Sequence, residues 1–381
     1  MGVLLYFVLS VLPSFVGHIQ DHRFPSGDFV VFYSAGKLAL SGHAEKAYQP
    51  GALSTEITQH RPDVTGRQFL WSYPPNVFAL VAPLAWLPFP WAFLIWSVGS
   101  VVLFLYAATR IHRHWFIALL LLGSPSLITV FFYGQTGFLL TALLGFGIWF
   151  LAQNRSILAG ASLAGLTFKP HLALFVPLFL LADKQFTALV SMLLFSLLLM
   201  AVSLWCFGWA TMLAFTHGVY AQTMPMLFSR YAFDRMASLY GSLCLWGLSG
   251  STALIVHAVF AGFICVLSFY LCTRPFPRLL KCALLIPATV LISPYVFTYD
   301  LVALALPCVI LLHLHNSMTV DRFDYAIMLL AWCILCAPEF LPRVIPFAWM
   351  TTVGLYVTVV RKMIGDKCVS LPISLSENNG V

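Results

Sequence analysis

What most restricts this chain is the length of its uncharged stretches. Across residues 186–207, and again across 252–271, no Asp, Glu, Lys or Arg interrupts an almost wholly apolar run. Runs of about 20 such residues are what a helix needs to cross the hydrocarbon of a bilayer. Within that hydrocarbon every backbone amide and carbonyl must find its partner inside the protein, which leaves helices and closed barrels. Barrel strands alternate apolar and polar side chains, and these runs do not alternate. The expected fold class is therefore an all-α integral membrane protein, a polytopic helical bundle. Of 381 residues only 9% are charged, where a soluble domain carries about 25%. That composition excludes an ordinary water-soluble enzyme.

The apolar segments divide the chain. Residues 1–17 read as a short first span rather than a cleaved signal, because they lack a basic flank and a small-residue cleavage site. Residues 18–75 form a first polar loop, and within it Phe29–Leu40 is expected as a short amphipathic helix on the membrane surface. Residues 77–87 are too short to span and read as interfacial or re-entrant. Spans follow near 91–106, 115–131, 138–151, 157–168, 172–181 and 186–207. A second polar loop occupies 208–236 and an interfacial segment 239–248. Further spans at 252–271, 284–293, 301–314, 325–340 and 345–360 bring the total to about twelve. Residues 1–362 read as one transmembrane domain, and 363–381 as a polar tail.

Basic residues orient such a chain, because cytoplasmic loops collect Lys and Arg. The cluster Arg110, His112, Arg113 and His114 places the end of the 91–106 span in the cytoplasm. Alternation then puts Arg155, Lys184, Arg278, Lys281, Arg322, Arg361 and the tail inside. It puts Asp28, Gln135, Lys169, His171, Arg230, Arg235, Tyr299 and Asp300 outside. Ionisable groups at membrane depth are costly, so a group of them bordering one leaflet marks a site. The expectation is a multi-pass protein of the cell inner (plasma) membrane, with its active site on the extracytoplasmic face.

An outer carboxylate, several outer cations and aromatic-rich helices suit a phosphate-bearing lipid, since Arg and Lys bind phosphate by charge-assisted hydrogen bonds. The net charge of +7 follows the positive-inside pattern and does not imply a nucleic-acid partner. No phosphate-loop, dinucleotide, serine-hydrolase or zinc-protease motif is present. The energy for any reaction must come from the substrate. A lipid-linked phosphosugar supplies it, because displacing phosphate at the anomeric carbon needs a base on the acceptor hydroxyl and cations on the departing phosphate. Cys333 and Cys336 form a C-x-x-C inside an apolar run without a second Cys/His pair, so packing explains them better than metal or redox chemistry. No disulfide framework, cofactor or metal is expected.

Several short motifs then occur in a telling order. They are Gly27-Asp28-Phe29 with Phe32-Tyr33 and Ala35-Gly36, Leu40-Ser41-Gly42, Ala47-Tyr48, Tyr73-Pro74-Pro75 and Ala82-Pro83-Leu84. Gly134-Gln135-Thr136-Gly137, Ala159-Gly160, Phe168-Lys169-Pro170, Ser293-Pro294 and Tyr299-Asp300 follow. From about residue 25 to 305 this series resembles glycosyltransferase family 87. The resemblance implies a GT-C-type bundle that takes a sugar, mannose above all, from a polyprenyl phosphate. It implies metal-independent transfer to a lipid or glycan acceptor with inversion at the anomeric carbon. It also implies that Asp28 is the general base. One departure is Tyr295 after Ser293-Pro294, where relatives commonly carry histidine, so the phosphate-contacting group of this loop is left open.

The candidate site is thus Asp28 as base, with Lys169, His171, Gln135, Tyr73, Arg230, Arg235, Tyr295, Tyr299 and Asp300 around the substrate. Each has a plainer reading. Asp28 can cap a helix, Lys169 can snorkel to the interface, and Arg230 and Arg235 can be solvated loop charges. Gln135 can satisfy a backbone group in its turn, Tyr73 can fix the chain's re-entry into the bilayer, and Tyr299-Asp300 can cap the next span. The rival function is a transporter or flippase of a polar lipid, which would favour repeated halves and charges at mid-membrane.

Overall fold

The computed structural model describes residues 27–64, 69–123, 126–228, 233–315, 317–334, 345 and 347–365. The expectations for residues 1–17, Arg230, Cys336 and the tail beyond Gly365 lie outside them. The described chain is helical throughout, with one isolated antiparallel bridge, between Met236 and Phe297.

The first polar loop builds a helical cap. Together with the interfacial segment after it, it forms α1 (Phe29–Leu40), 3-10 turns at Ala44–Tyr48, Pro62–Val64 and Pro75–Val77, α2 (Pro50–His60) and α3 (Phe78–Leu84). Helix α1 has the expected bounds but a different setting. Ten of its 12 residues are buried, so it is not an amphipathic helix on the membrane surface. Helix α2 and the 44–48 turn cover one side of it and α3 the other. Phe29, Phe32 and Tyr33 interlock with Phe89, Phe93, Trp96 and Tyr73. A helix apolar on every face belongs in a core.

The bundle follows with α4 (Phe89–Ile111), α5 (Trp115–Leu122), α6 (Ser126–Tyr133), α7 (Gly137–Ala152), α8 (Ser156–Ala164), α9 (Val176–Ala182) and α10 (Phe186–Gly218). It closes with α11 (Leu239–Leu245), α12 (Gly250–Thr273), α13 (Arg278–Ile292), α14 (Ala305–Leu314), α15 (Arg322–Ile334) and α16 (Ala348–Gly365). Helix α7 packs between α4 and α8, and α8 in turn lies against α10. Helix α13, buried from Leu279 to Leu291, is the centre around which α12, α14 and α16 gather.

Three described helices are long and apolar enough to cross a membrane: Phe89–Ile111, Phe186–Ala221 and Gly250–Thr273. The sequence expectation of about twelve spans is not confirmed by these. Most other apolar segments form shorter pieces, broken where the sequence places helix-ending residues. The 157–168 segment ends as a 3-10 turn after Gly165, and the 172–181 segment begins as one at Pro170. The second polar loop is also revised. Helix α10 continues through it as far as Gly218, kinked at Gly208 where φ is 75°, before a π-turn at Val219–Thr223.

Ion pairs fasten the end of the bundle that lies beyond the C-terminus of α7. Asp183, after α9, accepts from Arg278 Nε at 3.2 Å and Lys281 Nζ at 2.7 Å, both on α13. Arg278 also donates to Asn154 Oδ1 at 2.8 Å and to the Leu151 carbonyl at 3.0 Å. The other end of α7, at Gly137, is where the unusual polar residues collect.

Candidate active site

The site starts from the entry to α1. The Asp28 N–H donates to the Tyr133 carbonyl at 3.0 Å, which ties α1 to the end of α6. That approach requires glycine before it, because a Cβ on Gly27 would lie 2.4 Å from the Tyr133 ring. Asp28 occupies the N-cap position of α1, but its side chain makes no capping bond. Its Oδ2 instead accepts from Gln135 Nε2. The capping role that would explain this aspartate structurally is thus not the one it performs.

Gln135 sits in the turn between α6 and α7. Its N–H donates to the Val130 carbonyl at 3.1 Å, and Trp96 Nε1 donates to the adjoining Gly134 carbonyl at 2.8 Å. Two residues on, α7 begins at Gly137, where a Cβ would stand 2.2 Å from the Tyr299 carbonyl oxygen. The turn carrying Gln135 is therefore pressed directly against the 3-10 segment Thr298–Leu304, which carries Tyr299 and Asp300.

Lys169 reaches the same place from the elbow between the turns Gly165–Phe168 and Pro170–Ala173. Its Nζ lies 2.5 Å from Asp300 Oδ1 and 4.3 Å from the Tyr299 ring centroid. The other oxygen, Asp300 Oδ2, accepts the Phe297 N–H at 3.1 Å. Asp300 thus caps its own segment and pairs with Lys169 together. Lys169 is 7% exposed and does not snorkel. Its charge is largely matched by Asp300.

Tyr73 stands beside Thr136, close enough to Asp28 and Asp300 to feel both carboxylates. Its carbonyl receives the Tyr48 hydroxyl at 2.8 Å, and its ring packs on Phe32 and Trp71. Burial raises the Tyr73 and Tyr299 phenols well above their ordinary value, so both stay neutral. Burial first, and Lys169 second, pull the His171 imidazole down to about 3, which makes it neutral as well.

Arg235 arrives from the far side. The strand-like stretch holding it is stapled to the 294–297 segment by the Met236–Phe297 bridge, by Ala237 N–H to the Val296 carbonyl at 2.7 Å, and by Ser238 Oγ to the Pro294 carbonyl at 2.5 Å. Arg235 is exposed, and its positive charge acts on Asp28 and Tyr299. Tyr295 is not drawn into this group. Its ring packs 5.9 Å from Tyr240 in a satellite cluster with Phe233 and Met236.

Around Asp28 the balance is clear in direction. Burial raises its pKa, and the Gln135 hydrogen bond, Arg235 and Lys169 each work against that rise. A carboxylate so placed is a stronger base than one in water while its neighbours still favour ionisation. It also stands at the N-terminus of α1, where the helix dipole favours negative charge.

The sequence reading overlooked Asn76. It is buried, donates from Nδ2 to Thr167 Oγ1 at 2.9 Å, and has no partner for Oδ1 among the described residues. A polar side chain within an apolar stretch just after Tyr73-Pro74-Pro75 was the available signal. Against Asp300 lies a small void between Leu140, Thr141, Leu144, Leu166, Ile286 and Thr289, with room for about one water molecule. Among the described residues no set of three or more His, Cys, Asp or Glu side chains converges as metal ligands would.

A family model described as glycosyltransferase family 87 matches residues 71–294. The matched stretch contains Tyr73, Gln135, Lys169, His171 and Arg235, while Asp28, Tyr295, Tyr299 and Asp300 flank it. Neither a curated protein nor a solved structure matches the chain.

Proposed function

The chain belongs to glycosyltransferase family 87 and is a glycosyltransferase; from that premise we propose that it moves a hexose, mannose in the first instance, from a polyprenyl-phosphate sugar to an extracytoplasmic lipid or glycan acceptor. Asp28 is the general base, and the transfer inverts the anomeric centre without a metal or other cofactor. The protein lies in the cell inner membrane with this site on the extracytoplasmic side.

The observation that carries the reading is a buried aspartate released from helix capping, with cations on two other segments near enough for their charge to act on it. In the reaction, an Asp28 oxygen takes the proton of the acceptor hydroxyl as that oxygen attacks the anomeric carbon. The bond from that carbon to the phosphate oxygen breaks, its electron pair leaves with the phosphate, and the polyprenyl phosphate departs with one more negative charge. Arg235, whose charge acts on Asp28 and Tyr299, faces that charge, and Lys169 is matched by Asp300. Lys169 and Asp300 hold the elbow and the Tyr299 segment in register. Tyr73 and His171 offer neutral polar contacts. Transport without chemistry gains nothing from the family assignment.

The test is Asp28→Asn in reconstituted membranes supplied with labelled polyprenyl-phosphate mannose. Product formation is expected to fall by a factor of about 10³ or more while donor binding persists. Near-normal turnover would remove Asp28 from the role. Mass analysis of the extracted lipids from the unaltered protein identifies sugar and acceptor.

A further inference from the structure

Gln135 is oddly furnished for a residue that merely fills a turn. It is 6% exposed, and its Nε2 is committed to Asp28 while its Oε1 has no hydrogen-bond partner among the described residues. Leaving one buried amide oxygen unpaired costs stability. An apolar side chain of similar length would avoid that cost, and the turn would keep its backbone bonds from Gln135 to Val130 and from Trp96 to Gly134. The amide is therefore better accounted for by what it does to Asp28.

Resting on the assignment of Asp28 as general base, we infer that Gln135 is its positioning residue: the Nε2 donor fixes one carboxylate oxygen, so that the other is presented to the acceptor hydroxyl. A carboxylate can otherwise rotate about its terminal torsion, which is broad and only roughly two-fold. The other groups that face Asp28 do not supply this constraint. Arg235 and Lys169 act on it through charge, with Lys169 spent on Asp300. Tyr73 and Tyr299 make no hydrogen bond to Asp28 among the described residues, where Gln135 is its side-chain partner. Gln135 is also on a rigid mount, between the Trp96 anchor and the Gly137 contact with Tyr299, so the direction of its donor is fixed before substrate arrives. Small misplacements of a catalytic group can be expensive in rate.

The experiment separates titration from turnover. The infrared carboxyl band of Asp28, identified by its loss in Asp28→Asn, is followed against pH in the purified full-length protein and in Gln135→Met. Removing the donor takes away a bond to the charged form, so the Asp28 midpoint is expected to move upward by about one pH unit. Turnover with polyprenyl-phosphate mannose and octyl α-mannoside, measured above both midpoints, is expected to stay down by roughly tenfold or more, because the carboxylate is ionised but no longer held. An unmoved midpoint, or full turnover once Asp28 is ionised, overturns the inference. Gln135→Asn, whose amide is one methylene short, gives the same two readouts if the Met variant does not fold. Should Asp28→Asn retain turnover, the base assignment fails, and the infrared midpoint still reports whether Gln135 governs that carboxylate.

Discussion

Replacing Lys169 with Met tests whether the ion pair at the base of the site is structural. The Nζ–Oδ1 separation is 2.5 Å and both side chains are buried. At an effective dielectric of about 20, that separation corresponds to about 7 kcal/mol of gross attraction, most of it offset by the desolvation of the two charges. What the single substitution exposes is the uncompensated partner: Asp300 keeps its Phe297 N–H bond but loses its counter-charge. Removing one member of a buried pair typically costs about 3–5 kcal/mol, which for a chain of 381 residues should lower the midpoint of thermal unfolding in detergent by about 4–6 °C. Asp300→Asn should be costly for the mirror-image reason, though an asparagine oxygen can still accept the Phe297 N–H. The double variant, Lys169→Met with Asp300→Asn, leaves no charge stranded and is expected to be more stable than either single variant. A double-mutant cycle read from the unfolding midpoints settles the matter. Two losses that simply add would mean that the pair does not act as a unit and that the role given to Lys169 is wrong.

Other expectations follow from the same geometry. Gly137→Ala would press a methyl group into the Tyr299 carbonyl; a loss of about 1–3 kcal/mol in stability is expected together with reduced turnover, measured by thermal unfolding and product formation. Asp183→Asn strands the buried Lys281 at the opposite end of the bundle, while Arg278 keeps Asn154 and Leu151, and should destabilise by about 3 kcal/mol while the KM for donor is unchanged, which kinetics in vesicles would check. Because the folded-state pKa of Asp28 is raised, turnover should vanish as pH falls through that value and should recover above it, with the acid limb of kcat/KM lying above the ordinary carboxylate range. The linked contribution to stability has the reverse sense: the folded state binds the proton more tightly, so folding is most favoured below the unfolded pKa and loses that advantage as pH rises through the folded one.

The helix Phe29–Leu40 could be read from sequence to the residue, because the turn residues Ser41-Gly42 mark its end. Its burial could not, since that depends on α2 and α3 covering it from separate parts of the chain. Asp28, Gln135, Lys169 and Asp300 meet in the fold. Each was picked out as a polar residue in an apolar setting, but only the fold shows that Lys169 is taken by Asp300 while Gln135 holds Asp28. Tyr295 drew attention because it follows Ser293-Pro294, yet its ring turns to Tyr240; sequence order carries no information on which way a side chain in such a loop faces. The stretch 208–218 looked like loop because of its polar neighbours. Its own residues, from Trp209 to Phe215, continue a helical run past a single bend.

That bend has a mechanical consequence. The straight limb of α10 from Phe186 to Phe207 rises about 33 Å, close to the depth of a bilayer's oily interior, and the shorter limb turns at Gly208 to bring Gly218 against Tyr48. Tyr48 in turn grips the backbone of Tyr73 through its hydroxyl. The glycine bend therefore joins the membrane-length limb, through Tyr48, to the turn that carries Tyr73.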